Sequence, residues 1–324
     1  MKKGLLFVLT ILSLNAFAQA FEAFNFTGLA NANGWTTHSG TAGQILAVTT
    51  PSGSGNSLSY PGLAASVGNR IELNSTWSED INKPIAIPGT TGYFSFLLNV
   101  LNTTGLTAAG NYFIGFAASA GATNVTIFFP RLHIKLGTTP NTFQLGILNT
   151  SGGTVSISYA PTEYPLNSTL FVVAKATATA PGSPITASLW VNPIPGAAEP
   201  AAAVTNSSGT STWATAGIQS IFLRQAAGTG NYEIDEIRAG DTWASVTPGS
   251  AASCVSYNTI AATACNTYSL NNQTYTTSGT YVQTLANANA AGCDSIINLN
   301  LTINNANTST LNITNCGPYT LNNQ

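Results

Sequence analysis

The chain reads as all-β: a large antiparallel two-sheet sandwich followed by small β-sandwich repeats. Three features predict this. Apolar residues recur at every second position through most of the chain, Gly, Pro, Asn and Ser punctuate those runs, and no sustained 3.6-residue apolar stripe follows the N-terminal segment. With 44% hydrophobic and 6% charged residues, the composition is that of a folded protein, since disorder combines low hydrophobicity with high charge. The surface must then be built from neutral hydroxyls and amides.

Lys2 and Lys3 precede an uncharged run, Gly4 to Leu14, and the small-residue pattern Ala16-Phe17-Ala18. This is a secretory signal peptide, residues 1–18, with cleavage after Ala18 or Ala20. The run is too short to span a bilayer, and no cysteine near the cleavage sites offers a lipid anchor. Removing Lys2 and Lys3 from the nine basic residues leaves seven against eleven acidic ones, a net charge of −4. That weak acidity argues against nucleic acid or an anionic membrane as partner, both of which require a basic footprint.

Strands are expected throughout residues 19–246. Phe94, Phe96, Leu98 and Val100 share one face of a strand, and Tyr112, Ile114 and Phe116 share one face of the next. Leu132, Ile134 and Leu136 alternate with His133 and Lys135, and Phe143, Leu145 and Ile147 with Gln144 and Gly146. Val155 to Tyr159, Thr169 to Lys175, Ile185 to Asn192, Gln219 to Arg224 and Tyr232 to Arg238 continue the pattern. About ten strands in one such region suit two packed sheets.

Several segments carry a resemblance. Phe24-Asn25-Phe26, Asn33-Gly34-Trp35, Leu58-Ser59-Tyr60-Pro61-Gly62, Tyr93-Phe94-Ser95-Phe96, Leu189-Trp190-Val191-Asn192-Pro193 and Ile234-Asp235-Glu236-Ile237-Arg238 with Thr242-Trp243-Ala244 resemble, in order, the laminin-G/concanavalin-like modules of secreted Bacteroidetes proteins. The resemblance implies a jelly-roll sandwich that serves as lectin, adhesion module, accessory domain or glycosidase, so it does not fix an activity. It also implies at most one rim calcium, for which Glu79, Asp80 and Asp241 are the candidate ligands, since calcium takes six to eight oxygens; polar loop residues without a metal are the plainer reading. No other cofactor is expected.

Glu233-Ile234-Asp235-Glu236 is similar to the Glu-x-Asp-x-Glu strand of laminarinase-type glycosidases. Glu233 and Asp235 would share a strand face about 6 to 7 Å apart. The position that should carry the partner glutamate is Ile237 and Glu236 points the other way, so the pair about 5 to 5.5 Å apart that a retaining glycosidase needs is missing. An edge or closing strand with an acidic solvent face is the plainer reading. His133 alternates towards solvent and His38 lies in a turn-rich stretch, neither near a nucleophile elbow. Trp190 and Trp243 are expected to pack; Trp77, beside Glu79 and Asp80, is the candidate exposed aromatic for stacking on a ligand.

Thr247 to Ser253 is a small-residue linker. Beyond it Cys265, Tyr268, Leu270, Asn271, Asn272 and Gln273 return as Cys316, Tyr319, Leu321, Asn322, Asn323 and Gln324. A period of about 50 residues marks a repeat array: one unit over 254–305 and the start of a second, truncated one over 306–324. These units resemble the repeats of long surface adhesins and gliding-associated proteins exported by the type IX route. A unit this small needs a staple, and a Cys265–Cys293 disulfide would supply one in an oxidising compartment. The partner of Cys316 would lie beyond Gln324, and Cys254 could also pair with Cys316.

The expectation is therefore a secreted or cell-surface, non-enzymatic adhesin that recognises an extracellular glycan or surface protein through the sandwich, with the repeats as stalk. The alternatives are a secreted polysaccharide-active glycoside hydrolase and a purely structural surface protein.

Overall fold

The computed structural model describes residues 20–48, 56–250, 256–286, 288, 295–306 and 309–322. The expected signal peptide, Cys254 and Cys293 lie outside these residues. The chain divides into two compact units, Met1–Ser250 and Ala251–Gln324.

In the first unit, β1 (Ala20–Glu22), β2 (Thr36–Ser39), β3 (Leu46–Val48), β4 (Arg70–Asn74), β5 (Asp80–Ile87), β6 (Thr91–Leu106), β7 (Asn111–Ala117) and β8 (Phe128–Leu136) come first. Then follow β9 (Thr142–Leu148), β10 (Ser158–Tyr159), β11 (Tyr164–Pro165), β12 (Leu170–Thr177), β13 (Thr186–Val191), β14 (Val204–Asn206), β15 (Ile218–Arg224) and β16 (Thr229–Gly240). They form two eight-stranded sheets. The first runs β14-β13-β12-β6-β16-β4-β3 with β1 beside β16, the second β10-β9-β8-β7-β15-β5-β2 with β11 beside β9. The expected two-sheet sandwich is present.

The core between the sheets follows from the alternation. Phe94, Phe96, Leu98 and Val100 are fully buried in it, and Phe94 packs edge-on to Phe116, ring centroids 4.8 Å apart. One expected face breaks. The β7–β8 register shifts between Tyr112 and Ile114 and again between Gly115 and Ala117, and such bulges re-aim side chains. Ile114 and Phe116 enter the main core, while Tyr112 joins Val125, Phe128 and Phe222 in a separate cluster.

The outer face of the first sheet is sealed. Leu58, Leu63, Tyr93, Leu97, Phe171 and Val173 gather there with Trp190, Trp243 and Val246. A one-turn helix, α1 (Trp243–Val246), carries the last two of these. Trp190 and Trp243 pack as expected, 5.0 Å apart, and their indole N–H groups donate to the carbonyls of Pro200 and Ala197. The start of the expected linker stays with this unit: the carbonyls of Thr247 and Pro248 accept from Gly196 and Ala64, and the Ser250 N–H donates to the Gly62 carbonyl.

In the second unit β17 (Ser256–Cys265), β21 (Ser295–Asn304) and β20 (Gly279–Leu285) form a sheet in that order, and β18 (Tyr268–Leu270) pairs with β19 (Gln273–Tyr275). Leu299, Leu301 and Ile303 are buried with Tyr275, as their alternation requires. The parallel β17–β21 ladder joins Ser256 to Ser295 and Cys265 to Asn304. Cys265 and Ser295 are thus nine residues of extended chain apart, about 30 Å at 3.3 Å per residue. The expected Cys265–Cys293 staple involves Cys293, which lies outside the described residues. Cys265 and Cys316 are exposed free thiols.

Candidate functional site

The acidic candidates from the sequence are engaged within the fold. Glu79 is 1% exposed; its carboxylate accepts from the Thr37 hydroxyl (2.5 Å), Asn31 Nδ2 (3.3 Å) and the N–H groups of Gln44 (2.6 Å) and Ile45 (2.9 Å). It ties the β2–β3 segment to β5 and leaves no lone pair for a ligand. Trp77 is half-buried and Asp241 exposed. Among the described residues there is no group of three or more His, Cys, Asp or Glu side chains that could hold a metal.

Glu233 and Asp235 lie on β16, which is central between β6 and β4 rather than an edge or solvent-facing closing strand. Glu233 pairs with Arg70 at 2.7 Å and accepts from Asn99 at 2.9 Å. Asp235 is fully buried and accepts from the Leu58 N–H at 2.8 Å and the Glu236 N–H at 2.7 Å. Glu236 adopts φ 53° at a β6–β16 register shift, accepts from the Val67 N–H at 2.8 Å and pairs with Arg238 at 2.5 Å. Burial and the neighbouring Glu236 push the Asp235 carboxyl up to about 8. These carboxylates pin the 56–69 segment over the sheet and leave no cleft between them.

The outer face of the second sheet carries a different constellation. On β8, Leu132 and Ile134 enter the core, which sends Arg131, His133 and Lys135 to the opposite face. The β7 bulge delivers Tyr112 there, as the direct register partner of His133. Arg131 and Arg224 set their guanidinium groups over the Tyr112 ring at 5.2 and 4.3 Å, and Lys135 lies 4.2 Å over Tyr159. Gly146, the β9 partner of His133, makes room: a Cβ there would lie 2.6 Å from the Tyr159 ring. Tyr112, Phe128 and Phe222 form an aromatic platform, the last two with centroids 4.6 Å apart.

Further along, Arg224 pairs with Asp80 at 3.7 Å and donates to Asn111 Oδ1 at 3.0 Å. A depression of about 380 Å³ opens here, lined by His38, Asp80, Tyr112, Asn124, Phe128 and Arg224. Asn82 fixes its wall, donating to the Gly121 carbonyl at 2.8 Å and accepting from the Gly121 N–H at 3.0 Å. Larger depressions exist elsewhere; the one of about 520 Å³ beside Trp213 is lined by Pro, Ala, Thr and Gly without an ionisable group and offers little chemistry.

Electrostatically the face is unusual for what it leaves unmatched. His133 is 6% exposed, yet neither ring nitrogen has a hydrogen-bond partner, and Arg131 Nε has none either. Buried polar atoms are nearly always satisfied, so orphans call for an explanation. Burial, with Arg131 and Arg224 close by, pushes the His133 imidazole down to about 3, which keeps it neutral with one donor and one acceptor nitrogen. Burial raises Asp80 to about 6 despite Arg224. The sequence showed the alternation of His133 and Lys135 but not the burial of His133, and it missed Tyr112, Arg131, Tyr159 and Arg224. The available signal was three nitrogen-bearing side chains at alternate positions of one strand in a chain almost free of charge.

No family model and no curated protein matches the sequence. Solved structures of similar architecture include an alginate lyase, Aly36B, in complex with alginate tetrasaccharide: 12% identity, TM-score 0.43, 70% of this chain and 98% of that one. The endo-β-1,4-glucuronan lyase of Trichoderma reesei gives 12%, 0.43, 72% and 100%. The catalytic domain of a glycoside hydrolase family 131 protein from Coprinopsis cinerea gives 10%, 0.37, 72% and 87%.

At these identities the likeness extends to the fold and no further. It nevertheless corrects the expectation of a non-enzyme. That expectation took the sandwich as a binding scaffold because it lacked a carboxylate pair and a triad, whereas the solved structures of similar architecture include two lyases and the catalytic domain of a glycoside hydrolase. Among the described residues no helix is long and apolar enough to cross a membrane.

Proposed function

We propose that the sandwich is the working part of a secreted, polysaccharide-active protein whose glycan site is the outer face of the second sheet. The observation that carries this is the buried His133, with both ring nitrogens unpaired, opposite Tyr112 and the aromatic platform. Aromatic faces suit sugar rings, and a neutral imidazole is suited to general acid or base work. Glu233 and Asp235 are enclosed by hydrogen bonds, and Asp80 is the carboxylate lining the open depression. The chemistry on offer is thus proton transfer by imidazole and phenol rather than displacement by two carboxylates. The signal-peptide pattern supports export, and the repeats serve as a stalk.

The test is to incubate the full mature chain with a panel of neutral and charged polysaccharides and follow new chain ends by size-exclusion chromatography. His133→Gln is the control. Cleavage of at least one polymer by wild type, lost in the variant, is expected; equal cleavage by both would move the site away from this face, and no cleavage of any polymer by folded protein would defeat the enzymatic reading.

A further inference from the structure

Seven Lys and Arg residues follow Lys2 and Lys3. Five of them pair with carboxylates: Arg70 with Glu233, Lys83 with Glu22, Lys175 with Glu199, Arg224 with Asp80 and Arg238 with Glu236. The other two, Arg131 and Lys135, have no carboxylate oxygen at ion-pair distance among the described residues. They flank His133 on the same face of the same strand. In a chain that matches its cations so consistently, the two unmatched ones share one surface.

An unpaired guanidinium that is only half exposed is costly to keep, because desolvation is not offset by an opposite charge. Among the described residues Arg131 meets the Tyr112 ring, and its Nε is buried without an acceptor. The fork of an arginine matches a carboxylate in two parallel hydrogen bonds. Four residues along a strand separate Arg131 from Lys135 by about 13 Å. One small anion cannot bridge that distance, whereas a polymer with a carboxylate on successive sugars can. His133, nine-tenths buried, adds one donor and one acceptor between them for a hydroxyl or carboxyl oxygen.

We infer that this face takes a carboxylated polysaccharide, with Arg131 and Lys135 holding carboxylates of the polymer and His133 contacting the sugar between them. The inference rests on the glycan role of the face and adds the charge of the ligand. The charge of −4 on the whole mature chain does not oppose it, since five of the acids are matched by the other five cations.

The experiment is affinity electrophoresis of the full mature chain, at one fixed salt concentration, through gels containing a polyuronate such as alginate, the same polymer after carboxyl reduction, and a sulfated neutral polymer. Retardation by the polyuronate above both others is expected. Arg131→Gln and Lys135→Gln should each weaken it about tenfold, the worth of one charge-assisted pair, at an unchanged melting temperature. The second variant keeps the test sound if the first is destabilised. Equal or stronger retention by the sulfated polymer, or an unchanged double variant, overturns the inference. Binding of the carboxyl-reduced polymer in preference to the polyuronate overturns the acidic ligand and leaves the glycan site standing. Retention by none of the three overturns both.

Discussion

Tyr112 and His133 face each other across the β7–β8 ladder with their rings 5.8 Å apart, and the imidazole is buried with neither nitrogen hydrogen-bonded. Stability alone does not account for that arrangement. A buried donor and acceptor left unmatched cost about 1 to 3 kcal/mol, and sites kept against stability are where function is found.

Replacing His133 by Leu should therefore stabilise the sandwich while abolishing activity. An apolar side chain of similar size removes the two orphaned nitrogens, and a gain of about 1 kcal/mol in urea unfolding is expected. A loss of more than that amount would show that the imidazole holds the fold rather than a ligand.

Glu79 should behave in the opposite way. Its two oxygens accept from Thr37, Asn31, Gln44 and Ile45, so Glu79→Gln turns an N–H group against backbone donors. Destabilisation of about 2 to 4 kcal/mol is expected, read from the urea midpoint, with glycan retention in the folded fraction unaltered.

Asp235 makes stability fall as pH rises from about 4 to 8, and from about 6.5 to 8 the fall is no longer opposed by His133. Its folded carboxyl is raised to about 8, mainly by burial and then by Glu236. Through that interval the folded state holds a proton that the unfolded state has released, so unfolding gains ground with pH. The change from about pH 6.5 to 8 is about 1 to 2 kcal/mol at 1.4 kcal/mol per proton and pH unit. His133 acts with the opposite sign and at lower pH: lowered to about 3, it contributes stability that is lost on acidification below its unfolded value near 6.5. The measurement is urea unfolding at intervals of half a pH unit, and Asp235→Asn should remove the fall above pH 6.5 and steepen the loss of stability on acidification below it, where the two groups oppose each other.

The repeat offers a chemical check. Because Cys265 stands exposed and free at the Asn304 end of the β17–β21 ladder, peptide mapping of folded protein under non-reducing conditions should show that Cys265 alkylates readily without denaturant. Alkylation only after reduction would mean that this thiol is not free.

What the sequence revealed and what it hid divide along one physical line. Phe94 to Val100 and Leu299 to Ile303 were legible because apolar residues hold every second position and bury one face of the strand in a core. Trp190 and Trp243 were placed correctly because large aromatics in a sandwich mostly pack. Tyr112 was assigned to the wrong face because a bulge breaks period-two counting, and nothing local announces a bulge. Glu79 looked like a loop ligand because its donors come from residues 34 to 48 positions earlier. β5 escaped notice as a strand since Asp80, Asn82, Lys83 and Pro84 give it no apolar rhythm; Asn82 is nonetheless fully buried, anchoring the 121 loop.

The row that crosses the second sheet from Lys135 on β8, through Tyr112 on β7 and Arg224 on β15, to Asp80 on β5 and His38 on β2 spans four strand spacings. At about 4.8 Å each that is roughly 19 Å, far longer than one sugar ring. On the proposed glycan reading, chain length then becomes a variable: a monosaccharide would meet only one station of the row, and retention should rise with the number of sugars.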